Sequence, residues 1–389
     1  MALLAACMCL GLLFLSAGLP PDLREESNDL SIYREAGESM LRGEVPYRDF
    51  FIEYPPGSLP AFVPPALSSA DRDAYTNLFS LEMGVFLALT LLLTALAARR
   101  LRGSHAWILP AGTFAVAALL LYPVAVTRYD AVVALTLGSA AFFATSGRFL
   151  ALAYASLGLG AAAKIVPALA ILPLALARRG AAIGFAVFLA LLAYFFVPFL
   201  GSRGLLESLA YQTQRGLQVE SLAASVMIPF RPVGRVVFEY GAFEVRGRGV
   251  GLATSLSPLL TLILLAATGL VMYREYRLFG RPGVGDFPRH AAALILAFML
   301  GSRVLSPQYM IWLLPLIPLG ASGAAGAAVC AVFLVVCLLT TQVFPTHYAD
   351  LLAFRFPGPE LLLARNLLLV VLWVMMLALP AIAREERPT

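Results

Sequence analysis

The sequence predicts an all-α, polytopic integral membrane protein with about twelve transmembrane helices. Of its 389 residues, 60% are hydrophobic and 13% are charged, whereas a soluble domain carries about 25% charged residues. Its mean hydropathy is +0.84, and long uncharged apolar runs recur from one end to the other. A soluble core could not absorb so many segments of near-spanning length. We therefore expect one transmembrane domain over residues 1–389.

Charge and cysteine usage exclude several other classes of protein. The net charge of +5 does not indicate nucleic-acid binding, because the arginines form short clusters between apolar runs, as membrane topology requires. The cysteines lie inside apolar segments and are interpreted as small buried hydrophobes rather than disulfides or metal ligands. They are Cys7, Cys9, Cys330 and Cys337. We expect no metal and no cofactor.

The first apolar run, residues 2–19, is predicted to be the first transmembrane helix. A signal peptide is the alternative, but the run lacks a positively charged start and an A-x-A cleavage site. The sequence LAAC at residues 4–7 resembles a lipoprotein cleavage box, but it lies too close to the first residue.

The first long loop, residues 20–75, is expected on the extracytoplasmic side. Asn28 or Asp29 caps a predicted amphipathic helix over residues 30–41, with Gly43 just past its end. This helix should lie on the membrane rather than cross it. Prolines then keep the chain extended or broken; they are Pro55, Pro56, Pro60, Pro64 and Pro65.

The apolar run over residues 149–177 holds the only lysine of the chain, Lys164. As a single helix it would bury this lysine near the bilayer centre at a cost of several kcal/mol. It would also place the later arginine clusters opposite the earlier ones. We therefore predict two short helices that meet at Lys164, where Gly158, Gly160 and Pro167 favour a break and the lysine lines a wet cavity.

The remaining apolar runs complete about twelve crossings with both ends cytoplasmic. They cover residues 78–98, 106–127, 129–146, 181–200, 251–273, 290–301, 310–320, 324–344 and 361–382. A second long loop, residues 201–249, then shares the extracytoplasmic side with the first. The arginine bias of the short loops supports this orientation. The cytoplasmic arginines are Arg99, Arg100, Arg102, Arg148, Arg178, Arg179, Arg274, Arg277, Arg281 and Arg289, with Arg384 and Arg387 near the end.

The outer side collects carboxylates and cations. Its members are Asp29, Glu53, Arg128, Asp130, Lys164, Arg215, Glu220, Arg303 and Gln308. Cations at a membrane surface suit a lipid phosphate or pyrophosphate, and a carboxylate beside them suits deprotonation of an attacking hydroxyl. Together they indicate transfer of a group from a lipid-phosphate carrier.

Six segments in order resemble the GT-C glycosyltransferases, specifically the polyprenyl-phosphate-mannose-dependent mannosyltransferases of glycosyltransferase family 87 (DUF2029). They are NDLSIYREAG, GEVPYRDFFIEYPPG, RYDAVVAL, LGLGAAAKIVPALAILPL, QRGLQVESL and SRVLSPQYMIWLLPL, within residues 28–316. The resemblance implies a multi-span fold with an extracytoplasmic active site and an inverting, single-displacement sugar transfer. It also implies that Asp29 is the family's acidic residue after the first helix.

We therefore predict an integral-membrane glycosyltransferase of the bacterial plasma membrane. It would move a hexose, with mannose as first choice, from a polyprenyl-phosphate donor to an extracytoplasmic lipid or glycan acceptor. Asp29 is the predicted catalytic base, and Lys164, Arg128 and Arg303 are the predicted phosphate ligands. The predicted substrate-binding residues are Tyr33, Tyr47, Asp49, Glu53, Tyr54, Asp130, Arg215, Glu220, Ser306, Gln308 and Tyr309.

Most of these assignments have a structural alternative. The alternative for Asp29 is a helix cap with no catalytic role. The alternative for Arg128 is an ion pair with Asp130, and that for Lys164 is an ion pair with a carboxylate at a helix end. Glu220 would cap the helix that follows it. Asp49 and Glu53 would organise the loop. Ser306, Gln308 and Tyr309 would shape the turn around Pro307.

Two other functions compete with this prediction. A lipid or sugar transporter also needs many spans and charged cavity residues, but it usually shows an internal repeat and charges from both halves near the midplane. The sequence shows no clear repeat. Transfer of another sugar or of phosphoethanolamine is the enzymatic rival; the latter normally needs a metal site and a nucleophilic Ser or Thr.

Overall fold

The structure is a computed structural model that describes residues 1–18, 28–67, 72–146, 149–177, 181–230 and 233–380. Within these ranges the chain is built mainly from helices. The predicted cytoplasmic arginines Arg148, Arg178, Arg179, Arg384 and Arg387 lie outside the described residues.

The described chain contains twelve helices of ten or more residues. They are α1 (Ala2–Ala17), α2 (Asn28–Leu41), α3 (Arg72–Arg102), α4 (Ile108–Leu120), α5 (Asp130–Ala144), α6 (Leu150–Ala163), α7 (Ala181–Phe196), α8 (Arg203–Gln214), α9 (Val250–Phe279), α10 (Phe287–Gly301), α11 (Gly323–Thr341) and α12 (Gly358–Ala378).

Shorter helical pieces connect them. The α-helical ones are Val63–Ala66, Tyr122–Ala125, Ile171–Ala177, Leu222–Met227, Met310–Leu313, Leu316–Gly320 and Tyr348–Leu352. The 3₁₀ pieces are Pro56–Phe62, Val166–Ala170, Val197–Phe199, Ile228–Phe230, Val284–Asp286 and Pro307–Tyr309. One π-helical turn covers Gln342–Thr346.

Five segments of the described chain are long and apolar enough to cross a membrane: Arg72–Arg102, Ala181–Phe199, Val250–Phe279, Gly323–Thr346 and Gly358–Ala378. Five further apolar helical segments, Ala2–Ala17, Ile108–Leu120, Asp130–Ala144, Leu150–Ala163 and Val166–Ala177, are shorter. An integral membrane protein follows from these apolar helices. The count of about twelve crossings stays a prediction.

The helices pack around an alanine-rich centre. Helix α5 lies between α3 and α6, and α7 packs on α6. Helix α10 is buried along nearly its whole length against α9 and α12. Alanines such as Ala291 and Ala292 let these backbones approach closely, as small residues do between membrane helices.

The predicted break at Lys164 is confirmed. Helix α6 ends at Ala163, Lys164 is extended (φ −160°, ψ 132°), and a 3₁₀ turn with Pro167 near its start follows. A Cβ on Gly160 would lie 2.9 Å from the Pro167 ring and 2.3 Å from Thr136 Oγ1. The turn can therefore fold back onto the end of α6 only because residue 160 carries no side chain.

Helix α2 begins two residues earlier than predicted. It starts at Asn28, so Asp29 lies in its first turn rather than ahead of it. Gly43 follows the helix with φ +86°, as its predicted position past the helix end requires.

The all-α prediction is wrong over part of the second loop. Strands β1 (Val233–Glu239) and β2 (Ala242–Gly247) form an antiparallel hairpin. Tyr240 and Gly241 both have positive φ, which is the geometry of a two-residue hairpin turn that follows the strand twist. The sequence did contain a signal for this hairpin: the strand-like segments VVFE and AFEV flank the dipeptide Tyr240–Gly241.

Candidate active site

One cavity of about 850 Å³ collects most of the predicted site residues. Its wall comes from the start of α2, the segment around Glu53, the turn before α5, the Lys164 break, the second loop and residues 302–312. The predicted residues on this wall are Asp29, Glu53, Tyr54, Arg128, Lys164, Arg215, Glu220, Arg303, Ser306, Gln308 and Tyr309. Segments far apart in the chain thus place carboxylates, cations and aromatic rings around one space.

Asp29 forms a partly buried ion pair with Arg128. Arg128 Nε lies 2.9 Å from Asp29 Oδ2, although its N–H is not aligned with that oxygen. The Tyr54 hydroxyl donates a hydrogen bond to Asp29 Oδ1 at 3.1 Å. Asp29 therefore faces the cavity with both oxygens engaged. The alternative in which Arg128 pairs with Asp130 is wrong, because helix packing brings the start of α2 to the turn before α5.

Lys164 instead pairs with Asp130. Its Nζ lies 2.8 Å from Asp130 Oδ1, and the Trp312 indole donates to the same oxygen at 2.6 Å. Because Asp130 is the first residue of α5, the alternative that Lys164 pairs with a helix-end carboxylate is confirmed. The phosphate-binding role of Lys164 stays a prediction.

Three aromatic rings surround the Lys164 ammonium. Its Nζ lies 5.1 Å from the ring centroid of Tyr129, 5.2 Å from that of Tyr309 and 5.0 Å from that of Trp312, all within cation–π range. The lysine side chain is 20% exposed, whereas the Asp130 side chain is 1% exposed and does not line the cavity. The cation is therefore held at the cavity wall by a carboxylate behind it.

Tyr33, Tyr47 and Asp49 are not on the described cavity wall. Tyr33 is buried one layer deeper and stacks on Phe62 with ring centroids 4.4 Å apart. The Tyr47 hydroxyl donates to the Tyr54 carbonyl oxygen.

Asp49 lies at the surface, where it pairs with Arg48 and accepts from the backbone N–H of Val45 at 2.8 Å. The hydrogen bond from Arg48, reinforced by that backbone bond, lowers the pKa of Asp49 to about 2. Its placement matches its alternative role of organising the loop.

The second loop closes over Glu53. The turn glycine of the hairpin, Gly241, lies against the Glu53 carboxyl and the Tyr211 hydroxyl. Burial raises the pKa of Glu53, and the positive charge of Arg215 partly opposes that rise. The Arg215 guanidinium also donates two hydrogen bonds to the Tyr240 carbonyl, at 3.2 and 3.1 Å. Arg215 therefore fixes the hairpin turn above Glu53.

Gln218 joins the second loop to the segment before Met310, although the sequence reasoning did not select it. Its side-chain oxygen accepts from the Leu305 N–H at 2.9 Å, and its backbone N–H donates to the Arg303 carbonyl at 3.0 Å. Arg303 in turn donates from Nη1 to the Arg215 carbonyl at 3.0 Å. These bonds hold Arg303 and Ser306 on the same wall.

Glu220 is buried at the cavity wall. Its side-chain Oε2 accepts from Gln218, while Oε1 has no hydrogen-bond partner within the part of the chain that the structure describes. Burial raises the pKa of Glu220 to about 7, against the opposing effect of the positive charge on Arg365. Ser221, not Glu220, caps the following helix, because its Oγ accepts from the Ala224 N–H. The helix-cap alternative for Glu220 is therefore wrong.

Arg365 and Trp312 were also missed by the sequence reasoning. Arg365 is fully buried in α12 and donates to the Glu220 carbonyl at 3.2 Å. Like Lys164, Arg365 is a cation inside an apolar run, and such a residue indicates a candidate functional site. Trp312 lies inside the segment SRVLSPQYMIWLLPL, which carries part of the family resemblance, but no role was predicted for it.

A sequence-family comparison decides the class of the protein. The family model for glycosyltransferase family 87 matches residues 51–307, which is more than half of the chain. The chain belongs to glycosyltransferase family 87. The match begins after Asp29. The assignment of Asp29 to the site therefore depends on its position on the cavity wall. No curated protein sequence gives a significant match to the chain.

A structural comparison agrees on the fold. The crystal structure of ArnT from Cupriavidus metallidurans bound to undecaprenyl phosphate matches with a TM-score of 0.50 and 14% sequence identity, over 96% of this chain and 76% of that chain. The apo structure of the same ArnT gives a TM-score of 0.47 at 13% identity, over 95% and 76%. The resemblance to GT-C glycosyltransferases is confirmed, and this family 87 member is a membrane glycosyltransferase.

Proposed function

We propose that this protein transfers a hexose, with mannose as the first candidate, from a polyprenyl-phosphate donor to an extracytoplasmic lipid or glycan acceptor. The observation that carries the proposal is the cavity itself, which is lined by Asp29 with Arg128 beside it and by Lys164 and Arg303. The undecaprenyl phosphate in the ArnT structure supports the choice of a polyprenyl phosphate as the carrier.

The three cations suit the phosphate of the donor. Lys164 donates one N–H to Asp130 and offers the other two from that fixed point. The planar guanidinium groups of Arg128 and Arg303 match the geometry of phosphate oxygens. The leaving polyprenyl phosphate gains negative charge as its bond to the sugar breaks. Cations fixed before the reaction stabilise that charge without reorganising.

Asp29 suits the role of general base. The acceptor hydroxyl oxygen forms a bond to the anomeric carbon while the bond from that carbon to the phosphate oxygen breaks. The phosphate leaves with the electron pair, and the hydroxyl proton passes to the Asp29 carboxylate. A single displacement of this kind inverts the configuration at the anomeric carbon. Tyr54 and Arg128 keep the carboxylate oriented towards the cavity.

The arrangement of the basic clusters supports an extracytoplasmic site. Arg99, Arg100 and Arg102 occupy the last turn of α3, and Arg277 occupies that of α9. The cavity lies at the other end of α9, near Ser257. The positive-inside tendency therefore supports a cavity on the side away from the cytoplasm, which in a bacterium is the outer face of the plasma membrane.

The positions of the carboxyl groups on the cavity wall argue against the transporter alternative. Glu53 and Glu220 lie in loop segments, and Asp29 lies in the first turn of a short helix. Transport cavities usually carry charged residues from both halves near the membrane midplane. The described cavity wall instead carries its carboxyl groups at loops and a helix start.

The direct test is sugar transfer by the purified full-length protein in liposomes. Labelled polyprenyl-phosphate mannose is supplied with a crude lipid extract, and the wild type is compared with Asp29→Asn. Loss of the base should lower the rate by about 100-fold to 10,000-fold. Asp49→Asn is the matched control, because it removes a carboxylate from the same loop but away from the cavity.

Two results would overturn the proposal. One is equal transfer by Asp29→Asn and Asp49→Asn in protein that elutes as folded material. The other is absence of transfer from any polyprenyl-phosphate sugar together with lipid-flipping activity of the wild type. Assignment of the anomeric configuration of the product by NMR tests inversion separately.

A further inference from the structure

Glu220 is held firmly at the cavity wall by hydrogen bonds from three residues. The Gln218 amide donates to its Oε2, while the Arg365 guanidinium and the Asn366 amide each donate to its backbone carbonyl at 3.2 Å. The residue is 1% exposed, and its Oε1 has no hydrogen-bond partner in the ranges that the structure describes. A buried oxygen left unpaired costs free energy. An oxygen fixed in this state at a cavity wall therefore indicates a group that bonds a ligand entering the cavity.

Aromatic rings lie beside Glu220 on the same wall. Phe344 and Tyr348 both line the cavity, with their ring centroids 5.0 Å apart in an edge-to-face arrangement. Burial raises the pKa of the Tyr348 hydroxyl, and the negative charge of Glu220 adds to the rise, so the two side chains are close neighbours. We call Glu220, Phe344 and Tyr348 the Glu220 corner.

The Glu220 corner has the composition of a sugar site. Binding sites for small molecules usually combine aromatic surface with a few fixed polar groups. A sugar ring presents an apolar C–H face, which can pack on an aromatic ring, and hydroxyl groups at its edge, which need hydrogen-bond partners. Phe344 and Tyr348 supply the aromatic surface, and Glu220 supplies the fixed polar group.

The Glu220 corner adjoins the predicted phosphate ligand Arg128. Burial raises the pKa of both Glu220 and Tyr348, and the positive charge of Arg128 opposes both rises, which requires it to lie nearby. Arg128 also pairs with Asp29 at 2.9 Å. In a polyprenyl-phosphate donor the sugar is bonded directly to the phosphate. A donor phosphate at Arg128 can therefore place its sugar at the Glu220 corner while the anomeric carbon stays within reach of an acceptor hydroxyl at Asp29.

We propose that the Glu220 corner binds the sugar of the donor and that Glu220 Oε1 forms a hydrogen bond with one hydroxyl group of that sugar. Resting on the proposed function, this makes Glu220 a residue that selects the sugar, separately from the cations that bind the phosphate. A donor whose sugar lacks that hydroxyl leaves Oε1 unpaired, and the site discriminates against it for this reason. Arg365 and Asn366 are not on the described cavity wall and act as positioning residues through the Glu220 carbonyl.

The binding test compares polyprenyl-phosphate mannose with bare polyprenyl phosphate by native mass spectrometry of the purified full-length protein. Glu220→Ala should lower the affinity for the mannosyl lipid about tenfold, because one hydrogen bond to the sugar is lost. Its affinity for the bare lipid should stay at the wild-type value. Glu220→Gln should keep most of the affinity for the mannosyl lipid, since a sugar hydroxyl both donates and accepts and can bond an amide.

Two further variants control for packing. Glu220→Met keeps the length of the side chain without its oxygens and should show the same selective loss as Glu220→Ala. Ser225→Ala is the matched control, because Ser225 is also buried and close in sequence, but its hydroxyl donates to the Leu222 carbonyl and it is not on the described cavity wall. It should bind both lipids as the wild type does.

Two binding results would overturn the proposal. One is wild-type affinity of Glu220→Ala and Glu220→Met for the mannosyl lipid, since Oε1 would then be satisfied by water alone. The other is an equal loss of affinity for both lipids, which a purely structural role of Glu220 would produce.

Sugar transfer in liposomes measures the same contact through selectivity. A set of mannosyl donors, each lacking a different hydroxyl group, is compared with the complete donor. The wild type should use one of these analogues with a kcat/KM about 10-fold to 100-fold lower. Glu220→Ala should use that analogue and the complete donor about equally, while its selectivity towards the other analogues stays as in the wild type. Unchanged selectivity towards every analogue would contradict the proposal.

The two assays separate this proposal from the proposed function. If no form of the protein transfers sugar while binding of the mannosyl lipid still depends on Glu220, the proposed function fails and the sugar site stands. If transfer occurs but neither binding nor selectivity depends on Glu220, the sugar site fails and the proposed function stands.

Discussion

Replacing Glu220 with glutamine should stabilise the protein above pH 7 and have little effect near pH 4.5. The Glu220 side chain is buried, and among the described residues its Oε1 has no hydrogen-bond partner. Burial raises its pKa from the ordinary value of 4.5 to about 7, although the charge on Arg365 opposes the rise. The charged form is therefore disfavoured in the folded protein by about 3 kcal/mol.

The sign follows from proton linkage. A carboxyl group with a raised folded-state pKa contributes stability that is fully present below its unfolded pKa. That contribution is lost as the pH rises from 4.5 towards about 7. Glutamine has nearly the same shape and stays neutral at every pH. The stability difference between Glu220→Gln and wild type should therefore grow across this interval and level off above it, at about 3 kcal/mol in favour of the variant.

The assay is thermal unfolding of both proteins in the same detergent at several pH values from about 5 to about 8. Difference infrared spectroscopy adds a direct titration, because the carbonyl band of the protonated carboxyl should vanish with a midpoint near pH 7 in the wild type only. Glu35→Gln is the control, since Glu35 is exposed on α2. Parallel stability curves for wild type and Glu220→Gln, or a band that vanishes near pH 4.5, would refute the reasoning.

Two further changes test the packing that places the site. Trp312→Phe keeps an aromatic ring but removes the indole N–H that donates to Asp130 at 2.6 Å. Thermal unfolding should show a loss of about 1–3 kcal/mol of stability. A variant as stable as the wild type would contradict a stabilising role for this hydrogen bond. Gly57→Ala should cost about 1–3 kcal/mol, because its Cβ would lie 2.4 Å from the carbonyl carbon of Ala162. Gly112→Ala, with open space around it, should be harmless, and equal stability of the two alanine variants would argue against the clash.

Several features of the fold could be predicted because they depend on local energetics. A lone lysine inside an apolar run is costly in a bilayer, and the break at Lys164 follows from that cost together with Gly160 and Pro167. The class of the protein likewise follows from repeated apolar runs. The short helix at Asp29 was predicted from its apolar spacing, with an error of two residues at its start.

The hairpin shows where this local reasoning was incomplete. Its alternation and its Tyr240–Gly241 turn were visible in the sequence, yet an apolar, helix-rich chain favoured helices for the loop as well. The structure instead pairs β1 with β2 and places their turn over Glu53. The composition of the whole chain was a poor guide to the secondary structure of this segment.

The partners within the site were decided by the tertiary structure alone. The sequence placed Asp29, Arg128, Asp130 and Lys164 on the same side of the membrane, which follows from apolar run lengths and arginine bias. It could not say that Asp29 pairs with Arg128 while Asp130 pairs with Lys164. That choice depends on the packing of α5 between α3 and α6, because ion pairs act over a few ångströms and helix packing sets those distances.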